Sequence, residues 1–246
     1  MEIWQKTTQT VLYACDLGSM RETVEKAVAD GANLDGANLP GFNLRGVNLD
    51  GACLVSAYLR RAYLRGANLE GANLEGANLD GACLVGANMD NAYLDGASLA
   101  RASLAGANLY GACLVGANLA GANLEGANLD KANLAGANLE GANLDKANLA
   151  RANLAGARLQ GETLLIAPVS INNLKWPVLI THGYMRIGCQ RYSHDEWSAF
   201  DDDCIRNMHE SAFEFWSTFK EPLMAMCAAH RAEADKIAKS KTVIGE

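Results

Sequence analysis

The sequence predicts a mainly-β solenoid, a chain that turns once every five residues and stacks its coils, with a short segment before it and a small mixed module after it. Three observations predict it. Leu occupies every fifth position from Leu34 to Leu159, with Met89 the single exception, giving 26 consecutive units. Ala stands two residues before that Leu in every unit but two, where Phe42 and Val47 replace it. Most units also carry a Gly, as in GANLEGANLEGANLDG over residues 66–81. A helix is excluded, because leucines five apart rotate by about 140° and never gather on one face, and because Gly costs up to about 1 kcal/mol in a helix interior. A continuous strand fails too. Its side chains alternate faces with period two, so an odd repeat sends each successive Leu to the opposite side. The pattern works only if the chain turns in every unit, with Leu and Ala pointing inward and the other three positions looking outward or forming the corner.

Each end of such a stack exposes backbone groups and core, so residues 1–30 read as a cap. IWQKTTQTVLYACDL predicts two short strands around KTTQT. SMRETVEKAVADG predicts a helix: Ser19 and Glu22 form a capping box, Met20, Val24, Ala27 and Val28 make an apolar side, and Gly31 stops it. Phe42 and Val47, the only enlarged inward residues, predict a wider first coil under this cap.

Residues 31–164 are the repeat array, and the composition changes after Gly161. Residues 165–246 predict an α+β module. VLITHGYMRI reads as a hairpin turning at His182 and Gly183. A helical stretch follows from a second capping box at Ser193 and Glu196, with Pro222 kinking or dividing it and a tail frayed from about residue 236. Trp197, Phe200, Phe213 and Trp216 belong to an aromatic-rich small core and are the candidate interaction surface of this module.

The unit A-N-L-x-G, from Ala32 through Gly36 and on to Ala157, Arg158 and Leu159, resembles the pentapeptide-repeat family, whose motif is A-(D/N)-L-x-x. The resemblance covers more than half the chain. It implies a right-handed quadrilateral parallel β-helix with four units per coil, the Leu and the small residue two before it filling a narrow interior. At about 4.8 Å between coils, 26 units make six and a half coils and a rod of roughly 30 Å. The segment after the array resembles C-terminal extensions of some bacterial and prophage members, a resemblance that assigns no activity.

Composition excludes several classes. No apolar run reaches membrane-spanning length, and the N-terminus lacks the basic start and cleavage site of a signal peptide, so a cytoplasmic protein without membrane contact is expected. The net charge of -7 argues against direct nucleic-acid binding. Seven Cys with no regular framework fit reduced thiols. Cys53, Cys83 and Cys113 recur every 30 residues, which at four units per coil is one and a half coils. Cys83 then lies on the opposite face, and the other two are three coils apart, beyond disulfide reach.

No phosphate loop, nucleophile elbow or metalloprotease motif is present, and no catalytic or cofactor-binding residue is assigned. Cys189 with His194 and Cys204 with His209 share a C-x4-H spacing, but residues five apart on a helix diverge. Cys227 and His230 share a helix face, yet two ligands make no structural zinc site. No metal is expected.

Surface charge is the remaining clue. The resemblance brings in quinolone-resistance members that act on DNA gyrase and topoisomerase IV as mimics of duplex DNA. At four units per coil, Asp50, Glu70, Asp90, Tyr110 and Asp130 stack in one column beside a column of Asn from Asn48 to Asn148, an acidic stripe able to meet a basic saddle. Against this, the block from Gly31 to Gly161 holds 11 acidic and 9 basic residues, and Arg45, Arg60, Arg61 and Arg65 make its first part basic. The reading is therefore a non-catalytic protein-interaction scaffold, with a protein partner or a second copy of the chain bound by the rod or the aromatic module. A gyrase- or topoisomerase-directed DNA mimic is the alternative. An enzyme in the C-terminal module is the second, with no reaction to name.

Overall fold

The computed structural model describes all residues except 167, 173, 245 and 246, and the backbone alone for 241–244. The chain divides into two compact units, Met1–Thr163 and Leu164–Glu246.

In the first unit, β1 (Glu2–Trp4) and β2 (Val11–Ala14) pair antiparallel, and Gln5 Oε1 accepts the Thr7 and Thr8 amides, each at 2.6 Å, to hold the turn between them. The helix α1 (Met20–Ala29) starts at Ser19, whose side chain accepts the Glu22 amide at 3.2 Å. That is one half of the expected box. Thr23, Val24 and Ala27 are its buried face, with Met20 and Val28 half-buried. Both elements meet the first coil, which has no preceding coil to bond with. Trp4 O accepts the Asn38 amide, Gly36 O accepts the Lys6 amide, and Glu25 Oε1 accepts the Asn48 amide.

The array coils with a period of twenty residues. Parallel bridges join Asn38 to Tyr58, Asn48 to Asn68 and so on to Asn138 with Arg158. At each bridge the pattern repeats: Tyr58 N–H donates to Ala37 O, and Leu39 N–H donates to Tyr58 O, both at 2.8 Å. Four units thus make one coil. Each corner is a tight turn, as where Ala87 N–H returns to Leu84 O at 3.0 Å with Gly86 at φ +63°. A positive φ at the third residue of such a turn is the type II geometry that favours Gly. Pro40, directly before Gly41, supplies the fixed φ suited to the second position. Inside, the Leu and Ala positions are closed to water: Leu54 through Leu139 are at most 1% exposed.

Phe42 departs from the expectation. Val47 is fully buried, but Phe42 is 37% exposed and lines a groove with Ser19 and Met20. A phenyl ring is too large for an interior built to hold Ala, and in the first coil it can leave. The array ends in a short antiparallel pair, β3 (Arg158–Leu159) and β4 (Glu162–Thr163).

The second unit is a four-stranded antiparallel meander followed by three helices. Strands β5 (Val169–Ile171), β6 (Val178–Ile180), β7 (Tyr184–Ile187) and β8 (Gln190–Ser193) lie in chain order. The expected hairpin forms, with Ile180 opposite Met185 and Thr181 N–H donating to Tyr184 O. The helices are α2 (His194–Ala199), α3 (Asp202–Met208) and α4 (Ala212–Ile244). Ser193 and Glu196 make the full capping box, and its hydrogen bonds to Ser193 hold the Glu196 carboxyl below its ordinary pKa.

Of the two outcomes expected at Pro222, a kink or a division, division does not occur: the residue sits inside α4. Proline in a helix interior costs about 3 kcal/mol, and burial offsets this here: Phe215 and Trp216 before it and Leu223 and Cys227 after it are buried in one core. The helical stretch breaks instead before Asp201, which caps α3 by accepting the Cys204 amide at 2.8 Å, and around His209 to Ser211. Through the stretch from about residue 236, where fraying is expected, the backbone of α4 continues to Ile244; the last two residues lie outside the described ones.

Candidate functional site

With Leu and Ala turned inward, whatever the array presents comes from its Asn, variable and corner positions, each repeated at twenty-residue intervals as a column. One column is a ladder of amides. Asn68 Nδ2 donates to Asn48 Oδ1 at 3.2 Å, Asn88 to Asn68 at 3.2 Å, and Asn108, Asn128 and Asn148 each to the Asn before at 3.0 Å. Each of these oxygens also accepts the amide two residues on, as Asn88 does from Asp90 at 3.3 Å. Stacked amides of this kind tie side chain and corner together.

The corner beside this ladder carries the expected stripe. Gly51 N–H donates to Glu70 O, Gly71 to Asp90 O, Asn91 to Tyr110 O and Gly111 to Asp130 O, at 2.8 to 3.0 Å, so Asp50, Glu70, Asp90, Tyr110 and Asp130 lie on successive coils. Their charges are not equally available. Asp130 is only 8% exposed and accepts a bidentate pair from Arg151, Nε to Oδ1 at 2.9 Å. This guanidinium holds the Asp130 carboxyl below its usual range. The pair therefore contributes above the ordinary carboxylate pKa and is lost as pH falls through the lowered one. Lys131 donates to Tyr110 Oη at 2.5 Å and lies over its ring. Exposed acid thus gathers toward Asp50 and Glu70, with Asp90 half-buried. The pairing of Arg151 with Asp130 joins residues 21 apart, and the sequence signal for it is a base in the corner position following an acid one coil earlier.

The aromatic residues of the second unit do not form an open surface. Trp197 and Trp216 are 2% and 4% exposed, and Phe200 and Phe213 are half-buried against the same core. Trp197 stacks at 5.1 Å on Trp216, and its Nε1 donates to Met185 O at 2.7 Å. Both indoles pack in one core with Val178, Ile180, Met185, Ile205 and Leu223.

Among the described residues no three His, Cys, Asp or Glu side chains are placed to hold a metal ion. Cys204 lies in α3 and His209 caps its far end, against the Trp176 ring. Cys227 is buried with its Sγ 3.8 Å from Met185 Sδ. Burial pushes its thiol up to about 11. Alkylation at pH 8 should therefore label the exposed Cys53 and Cys189 well before Cys227, as peptide mass mapping over time would read. Equal rates would contradict the buried placement. Cys53 and Cys113 share one column with Asn73 and Tyr93 between them, and Cys83 lies on another. No helix among the described residues is long and apolar enough to cross a membrane.

A family model described as pentapeptide repeats matches eight copies over residues 30–66, 57–96, 82–121 and 122–161. No curated protein matches the chain. Among solved structures, one from the Arabidopsis thaliana thylakoid lumen is 37% identical over 38% of this chain and 65% of its own, just under two thirds, with a TM-score of 0.37. HetL of Nostoc sp. strain PCC 7120, involved in heterocyst differentiation regulation, is 32% identical over 53% of this chain and 80% of its own, with a TM-score of 0.21. QnrB1, a plasmid-mediated fluoroquinolone resistance protein, is 17% identical over 50% of this chain and 75% of its own, with a TM-score of 0.37.

Proposed function

The chain belongs to the pentapeptide-repeat family, and from that premise we propose that it is a non-catalytic scaffold that binds a protein partner along the outward columns of its coil. In this reading the coil is right-handed, as the family's β-helices are, and residues 1–30 close its first turn. The partner is another protein or a second copy of the chain. One observation carries the reading: the interior is filled by side chains and the corners are locked by the Asn48 to Asn148 ladder, so the recognisable chemistry of the array lies on its outward face.

A DNA-mimic reading, with gyrase or topoisomerase IV as target, has one observation in its favour. Between Gly66 and Asp145 nine acidic residues stand against two basic ones. Against it, Arg151 neutralises Asp130 and Lys131 occupies Tyr110, so Asp50, Glu70 and Asp90 are left to make a short stripe.

Supercoiling by purified bacterial gyrase separates the two. A scaffold for another partner leaves the reaction unchanged across a titration at low and moderate salt. Potent inhibition that weakens with salt and disappears in Glu70→Lys/Asp90→Lys/Asp130→Lys would overturn it in favour of the mimic. The double variant Glu70→Lys/Asp90→Lys leaves the Asp130 and Arg151 pair intact, and so distinguishes loss of the stripe from loss of a corner.

A further inference from the structure

Several bases in the later part of the array reach an acid one coil earlier. Lys146 and Arg158 reach the carboxylates of Glu125 and Glu140, each at 3.8 Å, and Arg151 reaches that of Asp130. Arg60, Arg61 and Arg101 behave differently. Among the described residues their guanidinium groups have no ion-pair or hydrogen-bond partner, although all three are exposed and gather round one notch of about 400 Å³. Gly81, Ala100, Ala120 and Asp80 complete its lining.

The backbone brings Arg61 and Arg101 together. Arg61 N–H donates to Asp80 O, Gly81 N–H to Ala100 O and Arg101 N–H to Ala120 O, so the two arginines hold the same corner two coils apart with Gly81 between them. That spacing is roughly 10 Å at the backbone. Both arginine stems lean toward the following coil, Arg61 over Gly81 and Arg101 over Gly121, so Arg61 runs into the gap and Arg101 forms its far wall, and guanidinium donors gathered at one notch suit an oxyanion. Asp80 does not close the gap by itself: its Oδ1 accepts the Ala100 amide at 3.1 Å and the Ser98 hydroxyl.

Conformation supplies an independent argument. Arg61 and Arg101 both sit at φ +57°, a corner that most units give to Gly. Lys131, Lys146 and Arg151 occupy such corners too, and each contacts a partner one coil earlier. Arg61 and Arg101 bear the unfavourable conformation with no partner within the chain, which is what a pair of residues kept for an external anion would show.

We propose that the notch between Arg61 and Arg101, with Arg60 beside it, binds a phosphate monoester group. The charge around it selects an isolated dianion over a long polyanion. Glu75 and Asp95 stand one corner away on successive coils, so a nucleic-acid strand leaving the notch on that side runs into carboxylates, while Glu70 and Asp90 belong to the stripe on the opposite corner. The exposed Tyr58 and Tyr63 flank the arginines in the chain. This site is distinct from the acidic stripe, and its test does not depend on the scaffold reading.

The test is fluorescence anisotropy with a labelled, otherwise neutral peptide carrying one phosphoserine, and its serine counterpart, titrated with the full chain at low salt. The phosphopeptide should bind at least about tenfold more tightly than the serine peptide, and Arg61→Gly/Arg101→Gly should lose that preference. Those substitutions install the residue the corner favours, so the variant should melt no lower than the parent and a loss of binding cannot be blamed on unfolding. Competition by inorganic phosphate at concentrations matching the peptide assigns a small phosphorylated molecule; resistance to it assigns a phosphorylated protein segment. Equal binding of the two peptides, an unchanged double variant, or displacement by single-stranded DNA more effectively than by the phosphopeptide would overturn the proposal.

Discussion

Leu104→Lys is expected to abolish folding of the first unit. Leu104 is fully buried, and its amide donates to Asn123 O on the next coil at 2.7 Å. Above and below it on the same column stand Leu84 and Leu124, and within its own coil Ala102 and Ala107, all at most 1% exposed. A lysine on a surface helix can run its stem along apolar groups and reach water with its ammonium. Here the backbone encloses the side chain on every side, and the coils before and after close the two axial exits. An unpaired ammonium in such a place costs several kcal/mol after relaxation. The cavity is also the wrong shape for it. A whole domain is stable by only about 5–15 kcal/mol, so the variant should appear in inclusion bodies or elute as an aggregate with no cooperative melt by circular dichroism. Ser103→Lys, one residue earlier and facing outward, should melt within a few degrees of the parent. A folded Leu104→Lys protein would mean that the interior is not closed.

The contrast between those neighbours was legible in the sequence because a strict period admits few geometries. Leu and Ala at fixed places in five residues exclude helix and strand, and the column positions follow once four units make a coil. The capping signals at Ser19 and Ser193, and the hairpin at His182 and Gly183, were legible for a similar reason: each is a local pattern with a local cause. What escaped were features decided by burial. Phe42 fits the register of an inward residue, but only the structure shows that the first coil leaves it an exit. Pro222 looks like a breaker until one sees the same core holding α4 on both sides of it. Strand β8, QRYS, has no apolar alternation and was invisible. At the stripe, the sequence shows five outward side chains in a column, but not that Asp130 is screened by Arg151 on the next coil. At the notch, the arginines are visible and their lack of partners is not. Charge in a solenoid is read across coils, so its meaning depends on the rotamers of residues twenty or more apart.

Trp197→Ala is expected to unfold the second unit, and it tests the reassignment of the aromatic residues from surface to core. The indole is 2% exposed, makes edge-to-face contacts with Tyr192 at 5.4 Å and Phe200 at 5.5 Å, and stacks on Trp216. Its Nε1 also holds Met185 O, anchoring α2 to β7. Truncation removes the ring, leaves a cavity and frees a buried carbonyl, for which about 3–5 kcal/mol is the ordinary cost. Few units of this size have that much to lose. Because three of the four Trp of the chain, Trp176, Trp197 and Trp216, lie in this unit, tryptophan fluorescence follows it preferentially. The variant should show red-shifted emission with no cooperative change on adding urea. Its far-ultraviolet circular dichroism should retain the transition of the coil array. Phe213→Ala, which removes a half-buried ring under Arg206, should cost less and keep a fluorescence transition at lower urea. If Trp197→Ala instead keeps the emission maximum and midpoint of the parent, the side chain is not a pillar of this core, and the case for an aromatic contact surface on the second unit reopens.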